Sequence, residues 1–184
     1  MKTPVLETER MLLRPLRQED AQTVFERWSS DPAVARYMIW EQHQSVQDTL
    51  DWLKMEEANL ESPTSYVWGF VLKEDGLLFG SGGLNFNENH GMFEIGYNIM
   101  QSRWNQGYTT EAARAMLDFA VLELKVDRIF GHHAKENPNS GKVMEKVGFV
   151  YQRDGQYVSF GGTRAFESRE YLLTLPAPWQ KDRT

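Results

Sequence analysis

The chain has 184 residues, 41% of them apolar and including six Trp and ten Phe, which suits one domain with a sizeable core and would cramp two. A formal charge of −6 argues against a general nucleic-acid binder, whose phosphate contacts need clustered Lys and Arg; it suits a cationic amine, or simply a soluble protein. With no cysteine, disulfides, thiolate metal sites and acyl-cysteine intermediates are excluded.

The start Met1–Glu7 lacks the apolar core of a signal peptide and no run approaches eighteen apolar residues, so a cytoplasmic protein without membrane contact is expected. From Glu9 to Arg17, Met11, Leu13 and Leu16 alternate as in a first strand, and Gln18-Glu19-Asp20 opens a helix carrying Ala21, Val24, Phe25 and Trp28. Asp31-Pro32 starts a second short helix. Ser45 caps a third, running to about Leu60 with Val46, Leu50, Leu53 and Ala58 inward. Trp28, Tyr37, Met38, Trp40 and Trp52 cluster in this region, either as a small aromatic core or, Trp40 foremost, as the lining of a pocket.

Tyr66, Trp68, Phe70 and Leu72 then alternate along a strand, and Glu74-Asp75-Gly76 turns the chain into a second, Leu77 to Phe86. There Gly80, Gly82 and Gly83 mark a bulge or a close backbone approach. After a turn at Asn87–Gly91, Met92 to Met100 forms a central strand with Phe93, Ile95, Tyr97 and Ile99 on one side and Glu94, Gly96 and Asn98 on the other. Apolar residues at Ala113, Met116, Leu117, Ala120, Val121 and Leu124 give the next helix one buried face. Its crossover leads to a strand from Val126 to Ala134, parallel to the central one. A helix from Pro138 or Asn139 to Gly148, a hairpin turning at Gly161-Gly162 and a disordered tail from Pro176 complete the chain.

The junction Arg103-Trp104-Asn105-Gln106-Gly107-Tyr108-Thr109-Thr110-Glu111 is an anion site. With Thr109 or Thr110 as N-cap, the first helical N–H groups lack partners and point outward with the positive end of the dipole. Gly107 lets backbone approach a phosphate, and Arg103 adds charge. No Gly-Lys-Ser/Thr follows, so this is not a nucleotide-hydrolase loop.

Together with the run Asn137 to Phe149, the junction resembles two motifs of the GNAT superfamily of N-acetyltransferases, and within it the branch that acetylates ribosomal-protein N-termini. Trp104, Gly107, Tyr108, Thr110, Glu111 and Ala112 match the first motif; Asn137, Ser140, Lys146, Gly148 and Phe149 match the second. Asn105 stands where relatives carry glycine, and Thr109 where they carry alanine or glycine. The resemblance, spanning roughly Thr8 to Leu175, implies one GNAT domain over 1–175: an α/β fold with a mixed, mostly antiparallel sheet, a splayed parallel central pair and helices on both faces. It implies acetyl-CoA as cosubstrate, its phosphates on Arg103, Asn105, Gln106, Gly107, Tyr108, Thr109, Thr110 and Lys142, and its pantetheine arm on backbone near Ile99 and Met100, with Asn137 on that arm. Lys142 and Lys146 reach the phosphates or are solvated charges.

Acetyl transfer from a thioester requires a neutral amine, a stabilised oxyanion and a proton for the thiolate. A lysine-like amine at neutral pH lies about three units below its pKa, a penalty of roughly 4 kcal/mol, against about 1 for an α-amino group. Glu94, in the family pattern Glu94-Ile95-Gly96-Tyr97, is the candidate base, directly or through water; otherwise it is a structural carboxylate. Ser140 is the candidate acid, or a helix cap. The backbone N–H near Ile99 is the oxyanion donor. His132 and His133 face opposite sides of a strand and cannot share a metal, so no metal is expected, though one of them can replace Glu94 as base. The expected activity is direct transfer in a ternary complex to a protein N-terminus or small-molecule amine; an acyl-CoA sensor without transfer is the alternative. Monomer and homodimer are both compatible with the sequence.

Overall fold

The computed structural model describes residues 2–181. Eight strands form one sheet in the order β1-β2-β3-β4-β5-β6-β8-β7. They are β1 (Leu6–Glu7), β2 (Met11–Arg14), β3 (Ser65–Leu72), β4 (Leu78–Asn87), β5 (Met92–Ile99), β6 (Arg128–Ala134), β7 (Val150–Val158) and β8 (Ala165–Thr174). Every neighbouring pair is antiparallel except β5–β6. The two-residue β1 is the strand that the alternation pattern misses, being too short to alternate.

Period-two alternation sorts side chains to the two faces. From β3, Tyr66, Trp68, Phe70 and Leu72 enter the larger core under α4 (Tyr108–Phe119) and α5 (Pro138–Lys146). Val67 and Val71 point the other way, to a smaller core with Leu16, Val24, Trp28 and Leu53. That second layer comprises a 3-10 turn (Gln18–Asp20), α1 (Ala21–Val24), a π-helical turn (Phe25–Ser29), α2 (Pro32–Ala35) and α3 (Val46–Ala58). Ser45 caps α3 through a reciprocal capping box with Asp48, as expected, but Thr49 rather than Ala58 joins Leu53 on its buried side. α4 packs by Ala112, Ala113, Met116 and Leu117, and Phe119 meets Tyr66 and Trp68 edge-on at centroid distances of 5.1 and 5.3 Å. At Gly80 the chains approach closely: a Cβ would lie 2.5 Å from the Asn98 carbonyl, while the bulge falls opposite, between Phe70 and Val71.

The expected disordered tail is a correction. Ala177 is fully buried, Trp179 packs on the larger core and donates to the Val147 carbonyl at 3.2 Å, and α6 (Pro178–Lys181) follows; residues 182–184 lie outside the described residues. Two apolar residues in a short terminal stretch are too few to show a period. Among the described residues no helix is long and apolar enough to cross a membrane. Trp179→Ala removes most of one partly buried indole, so about 2 kcal/mol of stability and roughly 4–8 °C of Tm should be lost, readable by calorimetry.

Candidate acyl-transfer site

Pairing between β5 and β6 is limited to Phe93 with Ile129 and Glu94 with Phe130. Beyond that point β5 keeps only β4, β6 keeps only β8, and the two part. A cleft of about 380 Å³ opens in the gap, with Tyr97, Asn98 and Ile99 on one side and Glu136 to Ser140 on the other. The ladder fixes which backbone groups face it. Met100 N–H donates to the Phe79 carbonyl at 2.8 Å, so alternation turns the Ile99 N–H and C=O toward the parted side. There the Trp104 indole donates to the Ile99 carbonyl at 2.9 Å, leaving the Ile99 N–H facing the cleft.

The loop into α4 covers one end. Gly107, not Thr109 or Thr110, is the N-cap, in left-handed backbone with φ 82°, and the first helical bond runs from Glu111 N to Gly107 O at 3.1 Å. The amides of Tyr108, Thr109 and Thr110 therefore precede the intrahelical bonds, and all three residues line the cleft. Asn105 has φ 59°, a conformation that asparagine tolerates far better than other non-glycine residues, which accounts for its standing where relatives have glycine. Arg103 and Lys142 also line the cleft, as does Lys146.

A brace behind this loop was not legible beforehand. The Arg10 guanidinium lies 4.2 Å over the Tyr108 ring, its Nε pairs with Glu111 at 2.6 Å, and its Nη1 donates to the Gln106 carbonyl at 3.0 Å. Glu111 also accepts the Arg10 backbone N–H at 2.9 Å, so the acidic residue of the first motif ties the loop to the turn before β2.

Most of the expected residues converge on the cleft: Ile99, Arg103, Asn105, Gly107, Tyr108, Thr109, Thr110, Asn137, Ser140 and Lys142. Met100 and Gln106 do not line it. The Met100 N–H is engaged by Phe79, its carbonyl accepts from Arg103 at 3.1 Å, and Gln106 acts in the Arg10 brace. Asn137 is the N-cap of α5, without a side-chain cap bond. Ser140 donates from Oγ to the Tyr97 hydroxyl at 3.4 Å, and Tyr97 in turn donates to the Ser140 carbonyl at 3.0 Å. Burial pushes the Tyr97 phenol up, so it stays protonated at neutral pH. Its phase on β5 marks Tyr97 as a packing residue, and only the fold shows its hydroxyl beside Ser140.

Glu94 sits at the pivot of the splay, just outside the cleft lining. One oxygen accepts from Asn87 at 2.6 Å and the other lies 3.5 Å from His132 Nε2. His132 stacks on Tyr157 at 4.5 Å, and burial holds its pKa below the usual histidine value despite the pull of Glu94, so it is neutral at pH 7. His133 faces the opposite side, buried against Tyr171 and Gly141.

The far wall is the stretch between α2 and α3, where Tyr37 and Met38 line the cleft. It is held by its carbonyls. Arg164, at the start of β8's hairpin arm, donates to Ala35, Arg36, Met38 and Trp40 oxygens at 2.7–3.2 Å and pairs with Glu41 at 3.1 Å. Tyr157 and Phe160 add bonds to the Tyr37 and Ile39 carbonyls at 2.6 and 2.7 Å. Of the two readings of the aromatic cluster, Trp40 follows the core one: with Trp52 it packs on the smaller core around Trp28, and with Trp28, Trp52 and His43 it borders a small cavity beside the cleft.

Unspent helix-start amides at one end of a parted parallel pair, with a free strand edge between, form a cleft suited to an extended ligand with an anionic end. Residues 10–150 match the family described as acetyltransferase (GNAT) domain, and the chain belongs to that family. It is 27% identical over 177 residues to the uncharacterized N-acetyltransferase YoaA of Bacillus subtilis, spanning 94% of this chain and 98% of that one. A solved GNAT acetyltransferase from Bacillus anthracis superposes with TM-score 0.79 at 25% identity, covering 93% and 98% of the two chains. The spermidine N-acetyltransferase of Vibrio cholerae, solved with CoA and spermine, shares the fold at TM-score 0.73 and 19% identity over 89% and 95%.

His43, His132 and His133 all have pKa values lowered by burial. Below pH about 6.5 the unfolded chain binds protons that the native state does not, so stability is full above that value and falls as the pH drops toward the folded pKa values. Tm measured in steps should decline as the pH falls below about 6.5.

Proposed function

We propose that the enzyme transfers the acetyl group of acetyl-CoA directly to a primary amine, with both substrates in the cleft at once. The observation that carries this is the placement of three helix-start amides, at Tyr108, Thr109 and Thr110, at the mouth of a gap bordered by the free edge of β5. The diphosphate sits on those amides and on Gly107, where no Cβ intrudes, with Arg103, Lys142 and Lys146 supplying charge. The pantetheine arm runs along β5 past Asn137, and the Ile99 N–H receives the thioester oxygen.

Glu94, directly or through a water, takes the proton of the attacking amine, with His132 beside it as a second acceptor. Ser140 and the adjoining Tyr97 hydroxyl return a proton to the departing thiolate. The acceptor is a protein N-terminus or a small-molecule amine, entering past Tyr37 and Met38 over Glu136, whose carboxylate suits a cation; the spermine in the Vibrio cholerae neighbour supports the small-molecule form.

A thermal-shift series with CoA and acetyl-CoA should show stabilisation by both, and free thiol should then appear with some amines of a broad panel; a shift without thiol for any amine would refute transfer. Gly107→Val, which puts a branched side chain where φ is positive and a phosphate must approach, should lose the CoA shift. Glu94→Gln should lower kcat/KM about a hundredfold for lysine-like amines and less for α-amines, whose deprotonation costs less.

A further inference from the structure

The small cavity beside the cleft has an unusual lining. Of the six tryptophans, Trp52, Trp68, Trp104 and Trp179 each donate the indole N–H to a protein oxygen. The other two, Trp28 and Trp40, have no such acceptor among the described residues, and both border this cavity of about 40 Å³. Asn98 borders it too, and its side-chain oxygen is buried without a partner, its amide nitrogen already donating to Ser81 Oγ at 3.0 Å. His43 forms a third wall. Its Nδ1 is fixed by the Thr49 hydroxyl at 2.7 Å, which meets Ser29 Oγ at 3.0 Å, so only Nε2 is left to face a ligand.

We propose that this cavity is a hydroxyl-recognising subsite of the acceptor cleft. An occupant must donate to Asn98 and accept from the indoles. An ammonium donates only, and no carboxylate borders the cavity; a carboxylate or phosphate accepts only and leaves Asn98 orphaned. A hydroxyl does both, and the volume admits a water or the hydroxyl end of a small molecule but not a larger group. Asn98 borders this cavity and the main cleft alike. On the same face of β5, a Cβ at Gly96 would meet nothing within 4 Å, so open space leads from Glu94 toward Asn98. Residues 94 and 98 are about 13 Å apart along the strand. An amine that gives its proton to Glu94 through a water, as the acetyl-transfer reading requires, reaches the subsite with its far end when a chain of several carbons separates nitrogen and hydroxyl. Water fills the same place when the acceptor has no hydroxyl.

The test is a titration of the CoA-bound protein, which cannot turn over, with ethanolamine, 3-aminopropanol and 5-aminopentanol against n-alkylamines of equal length, read by tryptophan emission. At least one amino alcohol should bind about tenfold tighter than its alkyl counterpart and change the emission. Trp28→Phe, which keeps a ring and loses the N–H, should bring that ratio toward one, with Asn98→Leu as an independent second variant. A crystal soaked with the best amino alcohol should place its oxygen within hydrogen-bond reach of Asn98. Equal affinities for all pairs, or a soaked crystal with water alone in the cavity, would overturn the subsite. Preferential binding of an amino alcohol without thiol release from acetyl-CoA would instead leave the subsite standing and sink the transfer reading.

Discussion

The parting of β5 from β6 is the constraint on which the molecule depends. Two paired residues hold the strands together at Phe93 and Glu94, and everything beyond them exists because the next backbone groups go unpaired inside a sheet. Buried peptide groups do not stay unpaired without a partner, so the gap must be structured from outside. Trp104 answers part of it by bonding the Ile99 carbonyl, while the start of α4 contributes amides with the same unmet need. A cleft with donors at its mouth and along its edge follows from topology before any catalytic side chain is considered.

The framework around the gap keeps it from closing. On one face the aromatic column from β3 packs under α4, and on the other the first three helices cover Val67 and Val71. Each half of the split sheet is anchored separately, β5 by β4 and β6 by β8. The loop bearing Gly107 is held from behind by Arg10, so its left-handed residue is surrounded by an ion pair, a carbonyl bond and a ring contact. Glycine takes that left-handed backbone at no steric cost, so the brace fixes where the loop lies rather than offsetting strain.

Much of this is written in local pattern. Alternation in Tyr66–Leu72 and Phe93–Ile99, the period of Ala113–Leu117 and the Ser45 cap identify strands and helices because each depends on near neighbours. The two motif runs likewise place nine of the expected residues on the cleft, and Ile99 of the central strand joins them. What stayed hidden depends on residues far apart in sequence. The partner of Glu111 is a residue 101 positions earlier, Tyr97 meets Ser140 across 43 positions, and no periodicity encodes either. Gly107 displaced the threonines as cap because positive φ, rather than a side-chain oxygen, ends the loop there. Ala177 and Trp179 packed where terminal position suggested a free end.

Arg164 grips the segment opposite β5 through peptide oxygens at residues 35, 36, 38 and 40, atoms that every amino acid supplies alike. The course of that segment is thus nearly independent of which side chains it carries. Tyr37, Met38 and Trp40 are therefore open to exchange through descent without the path of the main chain moving, so this wall can be refaced in a lineage while the strand edge and helix start opposite it stay as they are.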